Sequence, residues 1–122
     1  MNVRNLIFAL LLTTPLATLA ATPAMVSNGM LTDSGGMTLY NFDKDVSGDG
    51  KSVCNDACAK NWPPFLAKTG DAANGEYSLV TRDDGATQWA FKGKPLYLWT
   101  KDKKPGDMTG DGVNDVWHVV KP

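Results

Sequence analysis

The sequence predicts a small, mostly-β single domain built from two pseudo-repeats of hairpins, with little helix. Three observations carry this prediction. The 122-residue chain holds 12 Gly and 7 Pro, and Glu76 is the only Glu among its 13 acidic residues. Asp, Gly and Pro favour turns over helix interiors. Aromatic residues alternate along short segments, as they do on one face of a strand, and the chain repeats itself once.

The internal repeat is the strongest of these observations. Residues 36–45 and 93–102 both read Gly-x-x-Leu-Tyr-x-aromatic-x-x-Asp. Residues 45–50 match 107–112 further along, and each copy then leads to a tryptophan, Trp62 or Trp117. The pseudo-repeats therefore cover about 29–66 and 77–122. The repeat motif consists of Tyr40, Phe42 and Asp45 in the first copy and Tyr97, Trp99 and Asp102 in the second.

Each element can be placed from local signals. Alternating apolar residues predict strands, Asp-Gly and Gly-Pro clusters predict the turns between them, and Pro63 with Pro64 stops the one helical turn because proline cannot donate a backbone hydrogen bond. In chain order we expect a frayed or edge segment at 25–28, a hairpin at 31–42, a helical turn at 55–61, a meander at 77–99 and a last strand at 116–120.

The first 21 residues have the pattern of a secretory signal peptide. Arg4 precedes an apolar run from Leu6 to Leu12, and small residues such as Ala20 follow; a positive start, a short apolar centre and a small-residue exit are typical of such peptides. The apolar run is shorter than the roughly 20 residues that span a bilayer. We therefore expect cleavage, a secreted or periplasmic domain over 22–122, no lipid-anchoring Cys and no membrane span afterwards.

The charge balance excludes some partners. Twelve basic and 13 acidic residues give a net charge of −1, and no basic patch favours nucleic acid or an anionic membrane. An unknown protein or an envelope component is the expected partner. Most aromatic side chains are expected in the core, and any left exposed would mark an interface.

The motifs together resemble the bacterial secreted repeat, or lipoprotein repeat, family with its Tyr-x-aromatic-x-x-Asp motif. Flanking residues agree with the resemblance, including the spacing of Cys54 and Cys58 before Asn-Trp-Pro-Pro and the Val-Trp-His-Val segment at 116–119. The resemblance covers nearly all of the chain after residue 21. Many members carry a lipobox Cys that this chain lacks. The resemblance implies the fold and export, and it implies no mechanism, because the family's function is unassigned.

Cys54 and Cys58 are the only cysteines in the chain. In an oxidising compartment, an even number of closely spaced cysteines predicts a disulfide. The alternative is a copper site, because two thiolates with His118 and nearby methionines suit soft copper ions. The methionines in question are Met25, Met30, Met37 and Met108.

Two Asp-Gly loops carry a possible calcium pattern. Oxygen-bearing side chains at positions one, three and five, with Gly at six, are typical of calcium loops, although Asp-Gly clusters are also ordinary turn material. The first loop offers Asp45, Ser47, Asp49 and, at position twelve, Asp56; the second offers Asp107, Thr109, Asp111 and Asp115. No cofactor is required by the sequence, and calcium is the ion to consider.

No pattern favours catalysis. The chain has no Gly-x-Ser-x-Gly elbow, and His118 is its only histidine. The leading hypothesis is thus an exported, non-catalytic binding or structural module of unknown ligand. A metal-binding protein, with structural calcium before copper, is the alternative, and an enzyme comes after both.

Overall fold

The computed structural model describes residues 22–122, so the expected signal peptide lies outside the described residues. Strands β1 (Met25–Ser27) and β2 (Met30–Thr32) form an antiparallel hairpin. Asn28 and Gly29 both have positive φ, as a two-residue type I′ hairpin turn requires. All of β1 is exposed and all of β2 is buried. The expected edge segment is therefore confirmed as an edge strand.

Strand β3 (Tyr40–Phe42) follows a turn that Asp33 closes. The Asp33 carboxylate accepts the amides of Gly35 and Met37, each at 2.9 Å, and Thr32 bridges Thr38. The hairpin predicted at 31–42 is therefore present only next to its turn, where Thr32 pairs with Thr38 and Leu31 with Leu39. Beyond Leu39 the chain leaves β2, because β3 pairs with the last strand of the chain instead.

The only α-helix among residues 22–122 is α1 (Ala57–Asn61). It begins two residues later than predicted because Asp56 has a φ of 52° and a ψ of −120°, which is not helical. Pro63 and Pro64 follow it, as the sequence predicts. A short 3₁₀ turn over Val113–Asp115, which the sequence did not predict, precedes the last strand.

The second half contains the predicted meander. Strands β4 (Tyr77–Thr81), β5 (Thr87–Phe91) and β6 (Lys94–Pro95) pair antiparallel in that order. The regular ladder ends before 99, because Tyr97 turns away from β5 to bridge Tyr40 and Pro64. Strand β7 (Trp117–Val119) then pairs antiparallel with β3, with Phe42 opposite Trp117.

Buried side chains form two clusters that share the interior. The first contains Met30, Tyr40, Phe42, Cys54, Trp62, Tyr97, Trp117 and Val119. The second contains Ala24, Leu31, Leu39, Trp89, Phe91, Leu96 and Val120. The first cluster draws its aromatic residues from both repeats, so the repeats share one core as predicted. Within residues 22–122, no helix has the length and hydropathy to cross a membrane.

Candidate functional site

The two copies of the repeat motif meet at the centre of the molecule. The Tyr40 amide donates to the Tyr97 carbonyl at 2.8 Å, and the Tyr97 amide donates to the Tyr40 carbonyl at 2.9 Å. Both tyrosines are fully buried. Equivalent residues that exchange equivalent hydrogen bonds define an approximate twofold axis between the repeats.

Each motif tyrosine bonds the motif aspartate of the other repeat. The Tyr40 hydroxyl donates to Asp102 Oδ2 at 2.6 Å, and the Tyr97 hydroxyl donates to Asp45 Oδ2 at 2.5 Å. Both aspartates are buried, and a buried carboxylate is costly without hydrogen-bond donors. The repeats therefore complete one another rather than folding as separate units.

The remaining carboxylate oxygens are also satisfied. Asp45 Oδ1 accepts the Val53 amide at 2.8 Å. Asp102 Oδ1 accepts the Thr109 amide at 2.9 Å and the Thr109 hydroxyl at 2.6 Å. Each motif aspartate thus fixes the loop that follows it, and its oxygens are occupied within the fold.

Burial controls the ionisation of these groups. It raises the pKa of Tyr40 and that of Tyr97 far above the usual phenol value, and the hydrogen bond from each phenol to a carboxylate raises it further. Burial also raises the pKa of Asp45, against the hydrogen bonds from Tyr97 and the Val53 amide. The phenols consequently remain proton donors over the whole physiological pH range.

Four aromatic rings stack across the twofold axis. Trp117 lies between Phe42, with ring centroids 4.2 Å apart, and Trp62, with centroids 3.8 Å apart. Trp99 stacks on the other face of Trp62 at 3.9 Å. The order Phe42, Trp117, Trp62, Trp99 is symmetric, since Phe42 is the repeat equivalent of Trp99.

The two motif tyrosines pack nearly perpendicular to the rings of this stack. Tyr40 meets Trp62 at 5.3 Å and Tyr97 meets Trp117 at 5.1 Å, both in edge-to-face geometry. The first of these contacts requires a glycine at position 110. A Cβ there would lie 2.7 Å from Trp62 Cη2 and 2.9 Å from Tyr40 Cε1.

A buried arginine, Arg82, breaks the symmetry. Its guanidinium donates to Ser52 Oγ at 3.0 Å, to Gln88 Oε1 at 2.7 Å and to the Cys54 carbonyl at 2.5 Å. Ser52 Oγ lies 2.6 Å from the Tyr97 hydroxyl. A continuous chain of hydrogen bonds therefore connects Arg82 to the buried Asp45.

Sequence reasoning missed Arg82, Ser52 and Gln88. One signal was available: Arg82 is the only arginine in the chain apart from Arg4, and it follows directly on a predicted strand. A charged side chain beside a turn is ordinarily solvent-exposed, so the signal was not decisive. Arg82 is nevertheless 5% exposed.

Cys54 and Cys58 form the predicted disulfide, with Cα atoms 5.2 Å apart. Cys54 is buried in the first core cluster, and its carbonyl is the one that accepts Arg82. Cys58 lies on α1, and its carbonyl accepts the Trp62 amide at 2.8 Å. The disulfide therefore links the hydrogen-bond network of Arg82 covalently to α1, the helix that precedes Trp62.

The first predicted calcium loop packs on the opposite repeat. Ser47 Oγ donates to the Lys92 carbonyl at 2.9 Å, and the Gly48 amide donates to the Gly93 carbonyl at 2.9 Å. Asp45 belongs to the buried network, whereas Asp49 and Asp56 are exposed. The structure thus places one of these carboxylates in the interior and the other two at the surface.

In the second predicted loop, the side-chain oxygens accept hydrogen bonds from backbone amides of nearby turns and strands. Asp107 Oδ2 accepts the amides of Lys103 and Lys104, and Asp111 Oδ1 accepts the Val119 amide at 3.1 Å. Thr109 bonds Asp102, and Asp115 is exposed. No group of three or more His, Cys, Asp or Glu side chains among residues 22–122 is arranged to hold a metal ion. Calcium on these loops stays a prediction.

The predicted copper ligands do not form a set in the oxidised protein. Cys54 and Cys58 are bonded to each other, so their thiolates exist only after reduction. His118 Nε2 lies 2.8 Å from Asp43 Oδ2 on the partly exposed face of β7. Of the methionines, Met30 is in the core cluster with Cys54, whereas Met25 and Met108 are exposed. Copper binding by the reduced protein stays a prediction.

Comparison with known proteins agrees with the repeat. The family described as a secreted repeat of unknown function matches twice, over residues 24–65 and 78–121, and the two matches cover more than half of the chain. No curated protein and no solved structure matches the chain. The two matches fall on the halves whose motifs exchange hydrogen bonds at the centre.

Proposed function

Because the chain belongs to the family of secreted repeats of unknown function, we propose that it is an exported, non-catalytic binding or structural module. In this proposal the signal peptide is cleaved and residues 22–122 act in the periplasm or at the cell exterior. The expected partner is a protein or another envelope component.

One observation carries the non-catalytic part of the proposal: the polar atoms of the motif residues already have hydrogen-bond partners inside the fold. A general acid or base must come within hydrogen-bond reach of a substrate. Tyr40, Tyr97, Asp45 and Asp102 are buried, and their polar atoms already bond one another or the loops beside them. This arrangement favours a structural role for the motif and leaves the surface for binding.

Fractionation of expressing cells tests the export part. The full chain is produced with its own N-terminus, and the protein recovered from the periplasm and from the medium is identified by N-terminal sequencing. We expect a mature protein that begins near residue 21 and contains an intact Cys54–Cys58 disulfide. Uncleaved protein retained in the cytoplasm or in the membrane would contradict the proposal.

Structural calcium is the alternative role. Asp49 and Asp56 remain exposed in the first loop, and an ion bound only to the folded protein raises its stability. Thermal melts of the oxidised protein with calcium and with a chelator test this role, with Asp49→Ala as the variant. If calcium is bound there, the calcium-dependent rise in Tm disappears in the variant. Equal melts in calcium and chelator would remove the alternative.

A further inference from the structure

A pocket of about 440 Å³ opens where the two repeats meet. Its lining residues come from both repeats: Phe42, Lys44, Cys58, Asn61, Trp62, Asn114, Val116 and Trp117. We infer that this pocket binds a small organic carboxylate. The inference deepens the proposed binding role and rests on it, since it names a site and a class of ligand.

The stacked side chains of Trp62 and Trp117 both line the pocket. Trp62 is 4% exposed and Trp117 is 3% exposed, and among residues 22–122 neither indole nitrogen has an assigned acceptor. Among residues 22–122, the fully enclosed side-chain nitrogen that lacks a hydrogen-bond partner is Nε1 of Trp99. The indole nitrogens of Trp62 and Trp117 are not in that state. The small exposed part of each ring therefore lies at the pocket that both rings line.

The packing of Trp62 agrees with this orientation. The benzene end of its indole lies against Gly110, where an added Cβ would be 2.7 Å from Cη2 and 3.0 Å from Cζ3. Because the pyrrole ring is at the other end of the indole, the N–H group faces away from Gly110 and Tyr40. The Trp62 indole therefore directs its N–H group away from this core contact, and an indole N–H can only donate.

The rim adds more donors and one positive charge. Lys44, Asn61 and Asn114 line it and are exposed, and no Asp or Glu lines the pocket. Two carboxylates flank Lys44 in sequence: Asp43 bonds His118, and Asp45 accepts the Tyr97 hydroxyl in the interior. Two indoles, two carboxamides and one ammonium suit a ligand that is rich in acceptors and carries a negative charge.

Asn114 is held at the rim by an unusual backbone. Asn114 and Asp115 have φ values of 53° and 59°, so two consecutive residues other than glycine lie in the left-handed region. Residues held in this region often occur at binding sites, where the surrounding structure keeps them in place. Here Asn114 and Asp115 turn the chain, and Asn114 lines the same pocket as Trp117.

The charge and the walls favour a carboxylate over phosphate. A single lysine matches one negative charge, whereas phosphate sites gather several cationic or backbone donors. Phe42, Val116 and Cys58 supply apolar wall, which suits the hydrocarbon part of a small organic acid. A volume near 440 Å³ is within the range of small-molecule pockets.

Two-dimensional ¹H–¹⁵N NMR of the oxidised protein tests the inference, because each tryptophan gives one indole N–H signal. The probes are benzoate, its neutral isostere benzamide, and inorganic phosphate. We expect benzoate to shift the Trp62 and Trp117 signals in a saturable way and to leave the signal of Trp89, which lies in the second core cluster, unmoved. Benzamide and phosphate should produce weaker shifts, and added salt should weaken the benzoate response.

Matched variants locate the site. Lys44→Ala should weaken benzoate affinity roughly two- to fivefold, and Lys51→Ala, an exposed lysine outside the pocket, should not. Asn114→Gly removes the carboxamide from a residue whose positive φ glycine tolerates, and it should also weaken binding. Asn28→Gly makes the same change in the β1–β2 turn, where φ is 51°, and should leave affinity unchanged.

Three results would overturn the inference: unmoved Trp62 and Trp117 signals, an equal response to benzamide, or a response to phosphate that exceeds the response to benzoate. None of these results would contradict the proposed function, because export and the motif network are tested by separate experiments. Conversely, benzoate binding to a protein that fails to be exported would keep the site and overturn the proposed location.

Discussion

At the scale of single residues, the motif tyrosines and aspartates are exchanged between repeats. Tyr97 donates to Asp45 and Tyr40 donates to Asp102. The sequence predicts that these residues matter, because the motif occurs twice. It does not show which aspartate each tyrosine bonds, because the same sequence motif is compatible with pairing within one repeat and with pairing between repeats.

Removing one phenol oxygen tests the role of this bond. Tyr97→Phe keeps the ring in the core but leaves Asp45 Oδ2 without its donor, and an unsatisfied buried acceptor costs about 1–3 kcal/mol. Urea denaturation measures the loss in the free energy of unfolding. Tyr77→Phe is the control, because Tyr77 is only partly buried, and its loss should be under about 0.5 kcal/mol. Equal losses in both variants would contradict a special role for Tyr97.

The raised pKa values of Tyr40 and Tyr97 predict how stability responds to alkali. The folded state keeps both phenol protons at a pH where the unfolded chain, with a phenol pKa of about 10, loses them. The folded state then binds more protons, so the free energy of unfolding falls as the pH rises above about 10. Denaturant titrations from pH 8 to 11 measure this fall. Constant stability over that range would contradict the assignment.

At the scale of elements, the turns and loops explain where sequence reasoning succeeded and where it did not. The turn at Lys92 was predicted because Gly93 follows it, and glycine tolerates positive φ. The turn at Asn28 and Gly29 was not predicted, although both of these residue types tolerate positive φ. The docking of the first Asp-Gly loop was not predictable. A loop that packs on a neighbouring turn has the same Asp and Gly spacing as one that binds calcium, and only the fold brings Ser47 to Lys92.

Gly93 is the residue on which this docking depends. Its φ is 82°, and an added Cβ would lie 2.7 Å from the Gly48 amide nitrogen. Gly93→Ala should therefore destabilise the fold through both backbone strain and a clash. Gly85→Ala is the matched control, because its φ is 87° and nothing lies within 4 Å of its Cβ position.

Thermal or urea melts compare the two glycine variants. Strain alone costs of the order of 1 kcal/mol, so Gly85→Ala should lose about that much and Gly93→Ala clearly more. Equal losses would show that the loop does not press on the β5–β6 turn as the structure has it.

At the scale of the whole molecule, the repeats form one unit around a twofold axis. The fold class, the repeat and the disulfide were predictable, because composition, alternation and cysteine spacing act locally. Arg82 was not, because the partners that bury it come from distant parts of the chain, Ser52 and Cys54. The ring stack was likewise hidden, since alternation shows which residues are buried but not which rings meet.

The central claim is that the repeats are joined by reciprocal tyrosine–aspartate bonds, and double-mutant cycles of unfolding free energy test it most directly. Tyr97→Phe is combined with Asp45→Asn across the repeats, and Tyr40→Phe is combined with the same Asp45→Asn within one repeat. The reciprocal arrangement predicts a coupling of roughly 0.5–3 kcal/mol for the first pair and additivity within about 0.5 kcal/mol for the second. Coupling within the repeat and additivity across the repeats would contradict it.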